Sequence, residues 1–203
     1  MGRWRSTLLL LTLLVLLAIV LVVFLRTPKL VELITGPETL NAFQSVKLGS
    51  SMDEVRYARG GATDFFVDDE KSSDWGQRVV AASDLGKGDL SGKKDSDFVN
   101  WSWNESNRRV DVSFDPHTKL VTSVSCFDDK SAAACSVAGI ATGDDEETAL
   151  AVLGRDVAKY LAVGGSTLRV DSASRNLSLY LTKKKVYMIK VLDVSKDKPN
   201  LGN

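Results

Sequence analysis

The apolar residues of this chain fall into one unbroken block and a series of short alternating runs. The block spans residues 8–25 and reads LLLLTLLVLLAIVLVVFL, with Thr12 as its one non-apolar member. As a helix it extends about 27 Å, close to the thickness of a hydrocarbon core. A helix also satisfies every backbone group internally, as a bilayer demands. The run is longer than the apolar stretch of a cleaved signal peptide, and Arg26, Thr27, Pro28 and Lys29 follow it instead of a small-residue cleavage site. It predicts an uncleaved transmembrane signal anchor over 1–26. A linker follows over 27–45, in which the stretch from Pro37 to Gln44 reads as a short helix.

Beyond the linker the pattern changes to strands and two short helices. Alternation predicts strands over 98–103, 109–114 and 119–127, with Val99, Trp101 and Trp103 sharing one face of the first and Val110, Val112 and Phe114 one face of the second. A second set falls at 167–171, 176–181 and 186–194. Each set is preceded by a helix-forming segment bounded by glycines, Gly49 to Gly60 and Gly143 to Gly154. Ser50 or Ser51 can cap the first helix and Asp144 or Asp145 the second, with Gly60 and Gly154 as stops. The matching order predicts an α+β fold: an N-terminal transmembrane helix, then two tandem helix-plus-antiparallel-sheet repeats over 46–130 and 131–196, with a tail at 197–203. The polar, Gly-rich stretch 84–97 has no counterpart in the second set. It reads as a mobile excursion or a partner-binding surface.

Charge places the chain relative to the membrane. The 203 residues carry 26 basic and 26 acidic side chains. Arg3, Arg5, Arg26 and Lys29 precede Glu32, the first acid, so the part beyond the block is mildly acidic. This argues against a nucleic-acid partner. With a bulky domain on its C-terminal side, the anchor is expected to leave its N-terminus in the cytoplasm.

The chemistry-bearing residues are few. His117 is the one imidazole and sits in a turn-like DPHTK sequence, which argues against a Ser-His-Asp triad. The acidic pairs lack the spacing of an EF-hand loop, and no phosphate-binding glycine motif is present. No metal and no cofactor is expected, and the chain reads as a non-enzyme. Cys126 and Cys135 bracket a short loop. They read as a disulfide in an oxidising compartment or as two separate thiols. Trp101 and Trp103 read as core or as an aromatic partner-binding pair. Lys183, Lys184 and Lys185 read as a solvated hairpin tip or as a contact for head groups or an acidic partner.

The Gly-bounded helices also carry a resemblance. Gly49, Ser51, Asp53, Glu54, Val55 and Gly60, and in the second copy Gly143, Asp145, Glu146, Glu147, Ala149 and Gly154, resemble the helix pattern of the SmpA/OmlA (BamE-like) family of bacterial envelope proteins. The pattern is also similar to β-lactamase inhibitor protein-like folds, where such a unit occurs in tandem. The resemblance covers about 46–194 and implies binding and assembly. Lipoproteins of that family carry a lipid-modified cysteine after the signal. No cysteine stands there in this chain, so the resemblance implies the inner membrane, with the C-terminal domain in the periplasm. The expected function is a membrane-anchored envelope interaction module, an accessory or assembly subunit of a membrane protein complex that meets the bilayer through 8–25. The alternative is a periplasmic inhibitor or regulator of a hydrolase.

Overall fold

The computed structural model describes residues 38–68, 77–128, 134–154, 156–161 and 166–197. The chain divides at Thr39, and the unit from Leu40 onward carries all the elements below. The predicted transmembrane helix lies outside the described residues. Among these, no helix is long and apolar enough to cross a membrane.

The unit is mainly β. Its centre is a nine-stranded antiparallel sheet. The strands are β3 (Asp64–Asp68), β4 (Gln77–Ala81), β5 (Asn100–Asn104), β6 (Arg109–Phe114), β7 (Val121–Phe127), β10 (Ala158–Leu161), β11 (Thr167–Ser172), β12 (Leu177–Thr182) and β13 (Lys185–Leu192). Their order is β10-β11-β12-β13-β7-β6-β5-β3-β4. Two further hairpins, β1 (Ala42–Phe43) with β2 (Val46–Lys47) and β8 (Ser136–Val137) with β9 (Ile140–Ala141), lead into helices α1 (Met52–Arg59) and α2 (Glu146–Leu153).

The expected α+β architecture of two helix-plus-sheet repeats is corrected by this topology. The two described helices have eight residues each. The strands of both halves belong to one sheet, because β7 pairs with β13 over five residues, Met188 opposite Phe127 through Leu192 opposite Ser123. The buried residues of both halves belong to one hydrophobic core. The short helix expected between Pro37 and Gln44 is also absent over its described part: Ala42–Phe43 is a strand, and the hairpin turn is made by Gln44 and Ser45 at positive φ.

The local reading of the Gly-bounded helices corresponds to visible geometry. The Ser51 hydroxyl accepts the Glu54 amide while the Glu54 carboxylate accepts the Ser51 amide, a capping box. Asp145 accepts the Thr148 amide at 2.8 Å. These bonds hold the Glu54 and Asp145 carboxyls below their ordinary pKa. Gly60 and Gly154 end the helices at φ 80° and 84°, where a side chain would be strained. Both helix entries are tied to the sheet in one manner. Gly49 donates to Val121 and Gly143 to Val186, each at 2.8 Å.

Alternation decides which side of the sheet the helices cover. On the inner face, Phe65, Trp101, Val112, Val124, Val191 and Leu177 stand side by side across six strands, all essentially inaccessible. Met52 and Val55 of α1 and Ala149 and Leu153 of α2 join the same core. Trp101 is its centre, with ring contacts to Phe65, Trp103 and Phe114 at 6.1, 6.1 and 5.0 Å. Its indole N–H donates to the carbonyls of Phe98 (3.0 Å) and Asp95 (3.1 Å). Asp95 lies in the stretch 84–97 and Phe98 directly follows it; three short 3₁₀ turns, Ala82–Asp84, Gly88–Leu90 and Asp95–Asp97, organise this part of the chain, with Leu90 buried. That stretch is also pinned to α1 by Arg56 to Asp95 at 2.8 Å.

Candidate functional site, the outer face of the sheet

One residue away from the apolar row, the same strands carry a polar one. Asp64, Ser102, Asp111, Ser125, Lys190, Ser178 and Asp171 stand in register across β3, β5, β6, β7, β13, β12 and β11. Successive side chains of a strand point to opposite faces, so this row lies on the face opposite the core. The adjacent outer row contains Arg109, Phe127, Met188, Tyr180 and Arg169.

The two rows are bound together by a motif made twice. In β6, Val110 is buried between Arg109 and Asp111, which share the outer face. Asp111 takes Arg109 at 3.1 Å and the Ser102 hydroxyl at 2.7 Å. In β11, Val170 is buried between Arg169 and Asp171. Asp171 takes Arg169 at 2.7 Å and the Ser178 hydroxyl at 2.6 Å. Each Ser–Asp–Arg group lies to one side of the central β7–β13 pair, where Ser125 faces Lys190. The guanidinium groups lie over aromatic rings, Arg109 over Phe127 at 4.3 Å and Arg169 over Tyr180 at 5.8 Å.

Burial sets the electrostatics. Ser102 and Ser178 are fully buried beneath the long side chains, and Asp171 nearly so. Burial pushes the Asp111 carboxyl above its ordinary pKa despite Arg109. It pushes the Lys190 ammonium below its own, with Arg169 adding to the shift and Asp197 and Asp171 opposing it. Burial also works against the charge of Arg169, but hydrogen bonds to Asp171 and Asp197 outweigh it and raise that pKa. The outer face opens at its ends into two grooves. One, of about 800 Å³, is lined by Ser113, Ser123, Asn176, Lys190 and Asp193 among others. The other, of about 680 Å³, is lined by Arg108, Arg109, Phe127 and Tyr187 among others. Such a surface can hold charged and hydrogen-bonding groups of a partner in fixed positions, because its side chains are set on strands and locked by neighbours.

The residues singled out from sequence lie elsewhere. Trp101 and Trp103 are buried in the core, so their rings offer no contact to a partner. Lys183 and Lys184 are the two turn residues between β12 and β13, at φ 49° and 63°, and with Lys185 they are exposed. This tip sits against the acidic start of α2: the Glu146 amide donates to the Lys184 carbonyl at 2.9 Å, and Lys185 to the Gly143 carbonyl at 3.2 Å. The tryptophans and lysines therefore do not form one patch. Cys126 and Cys135 are joined by a disulfide, and both are fully buried. His117 is exposed in the turn between β6 and β7. Among the described residues, no group of three or more His, Cys, Asp or Glu side chains is placed to hold a metal ion.

The outer-face residues were missed because serine and aspartate at alternate strand positions read as an ordinary solvated side. One signal was present: the tripeptide Arg-Val-Asp occurs at 109–111 and again at 169–171. Two residues apart on a strand, its arginine and aspartate must share a face.

Comparison with known proteins adds little to this geometry. No family model matches the chain. No curated protein matches it. A cysteine-rich secretory protein from Staphylococcus aureus subsp. aureus Mu50 is similar over 76% of this chain, at 14% identity and a TM-score of 0.39. The chain spans 46% of that protein's length, and a likeness at this TM-score assigns it neither a fold nor a function.

Proposed function

We propose that the chain is a membrane-anchored envelope interaction module, an accessory or assembly subunit of a membrane protein complex, whose partner docks on the outer face of the sheet. The carrying observation is the pair of Ser–Asp–Arg groups. They hold five partly or fully buried polar side chains and their neighbour Arg109 in fixed positions on a sheet face over which no described helix packs. A core gains little net stability from such groups, since the cost of burying charge offsets most of what pairing returns. A recognition surface gains fixed geometry from them. The apolar block at 8–25 supports anchoring, and the disulfide suits an oxidising compartment such as the periplasm. The likeness of the Gly-bounded helices to those of SmpA/OmlA proteins belongs to the same proposal.

The test is cross-linked purification of the full chain from native membranes in mild detergent, followed by mass spectrometry. The expected result is a stoichiometric integral-membrane partner with cross-links on outer-face residues. Recovery of the chain alone overturns the reading. Recovery with only a soluble periplasmic hydrolase replaces it with a regulator of that enzyme.

A further inference from the structure

The outer face holds nearly all its charge in local pairs. Arg169 binds Asp171 and Asp197, each at 2.7 Å; Arg109 binds Asp111 at 3.1 Å; Lys196 binds Asp193 at 2.8 Å. Asp64 accepts from Thr63 and Asn104 at 2.7 and 2.6 Å. Asp115 accepts the amides of His117 and Thr118 at 2.9 and 2.7 Å. Among the described basic residues of this face, Lys190 stands apart, with neither an ion pair nor a side-chain hydrogen bond. On its β12 side Ser178 is committed to Asp171, but the serines on its β7 and β6 side are not. Ser113, Ser123 and Ser125 make no side-chain hydrogen bond among the described residues. Ser125 is directly opposite Lys190, and Ser123 is directly opposite Ser113. Neighbouring strands lie about 4.8 Å apart and same-face residues about 6.7 Å apart along a strand, so one ammonium and three hydroxyls share one patch of this face, within reach of the long lysine side chain and a bound group. Lys190, Ser113 and Ser123 line the groove of about 800 Å³.

We propose that Lys190 and the hydroxyls of Ser113, Ser123 and Ser125 form a carboxylate-binding site for the partner polypeptide, which fills it with an acidic side chain or its C-terminal carboxylate. This inference rests on the reading of the outer face as the docking face. One unpaired cation matches one negative charge. A dianion fits worse, because Asp115, Asp193 and Asp197 rim the same groove. Hydroxyls supply the remaining donors without adding charge, and a charge-assisted bond in a partly buried groove is stronger than one in water. Burial lowers the pKa of Lys190 and Asp197 and Asp171 only partly offset it, so a carboxylate in the groove would favour its charged form.

Two peptide probes test the proposal on the full chain in detergent micelles. One has an internal glutamate with blocked ends; the other is an alanine peptide with a free C-terminal carboxylate. Amine-labelling rates are read residue by residue by mass spectrometry. Protection of Lys190 by either probe, with Lys183 and Lys184 unchanged, is the expected result, and the probe that protects identifies the source of the carboxylate. Lys190→Gln should weaken probe binding about tenfold or more, the loss of one charge-assisted contact, while Lys183→Gln, at the exposed β12–β13 turn outside the groove, should not. Equal labelling of Lys190 with and without both probes overturns the site. If Lys190→Gln captures the native partner as well as the wild type does, the carboxylate site is wrong and the docking face stands. If the wild type captures no partner but the probes protect Lys190, the site stands and the docking reading fails.

Discussion

The two faces of the sheet are built by the same strands, one residue out of step. Phe65, Trp101, Val112, Val124, Val191 and Leu177 face the helices; Asp64, Ser102, Asp111, Ser125, Lys190 and Ser178 face away from them. The inner row is stabilised by the removal of apolar area from water, which is large and indifferent to detail. The outer row is almost as buried in places, yet its groups contribute only when each finds its partner. The difference implies that changes on the inner face should act on stability, while changes on the outer face should act mainly on binding, with losses of stability confined to its buried pairs.

The largest expected effect breaks the inner face. Trp101→Ala removes the centre of the aromatic cluster and should cost about 3–5 kcal/mol in urea denaturation. Replacing both Cys126 and Cys135 by serine opens a loop of nine positions and should cost about 2–3 kcal/mol in the chain-entropy model. On the outer face, Asp171→Asn leaves the largely buried Arg169 with Asp197 as its one carboxylate and should cost about 1.5–3 kcal/mol. Asp53→Asn removes an exposed ion pair to Arg56 and should leave stability unchanged within error. If Asp171→Asn proves as harmless as Asp53→Asn, the outer pairs are surface decoration and the comparison fails.

The smallest effect is the sharpest in sign. Burial lowers the folded-state pKa of Lys190 below its unfolded value, so between the two the unfolded chain binds more protons. Stability from this group therefore rises with pH in the alkaline window up to about 10.4. Tyr180, whose pKa is raised by burial, opposes it at the upper end, so the test compares wild type with Lys190→Met. The variant should lose the rising component and keep the rest of the alkaline profile.

Much of the central sheet was legible in the sequence. Arg109–Phe114 alternates cleanly because one of its sides is apolar core, and the strand bounds match. The capped helices were legible because capping is local chemistry. The fold class was not. Whether two sets of strands make two sheets or one depends on the β7–β13 ladder, a contact between distant segments that leaves no local mark. Strand β3 was missed because Phe65, Phe66 and Val67 run without alternation. Strand β10, at the sheet edge, exposes Lys159 and Leu161 and lacks an apolar period. The tryptophans stay open between core and hot spot in the sequence, because residue type cannot distinguish the two. The outer site needed the register across seven strands before its residues became neighbours.

The most direct test of the docking face compares two exposed positions on opposite sides of the sheet. A photo-cross-linking residue is placed at Thr122, which lines the larger groove, and in a second protein at Tyr57, which is 95% exposed on α1. After irradiation in native membranes, the account predicts a partner adduct from Thr122 and none from Tyr57. An adduct from Tyr57 with none from Thr122 would contradict it.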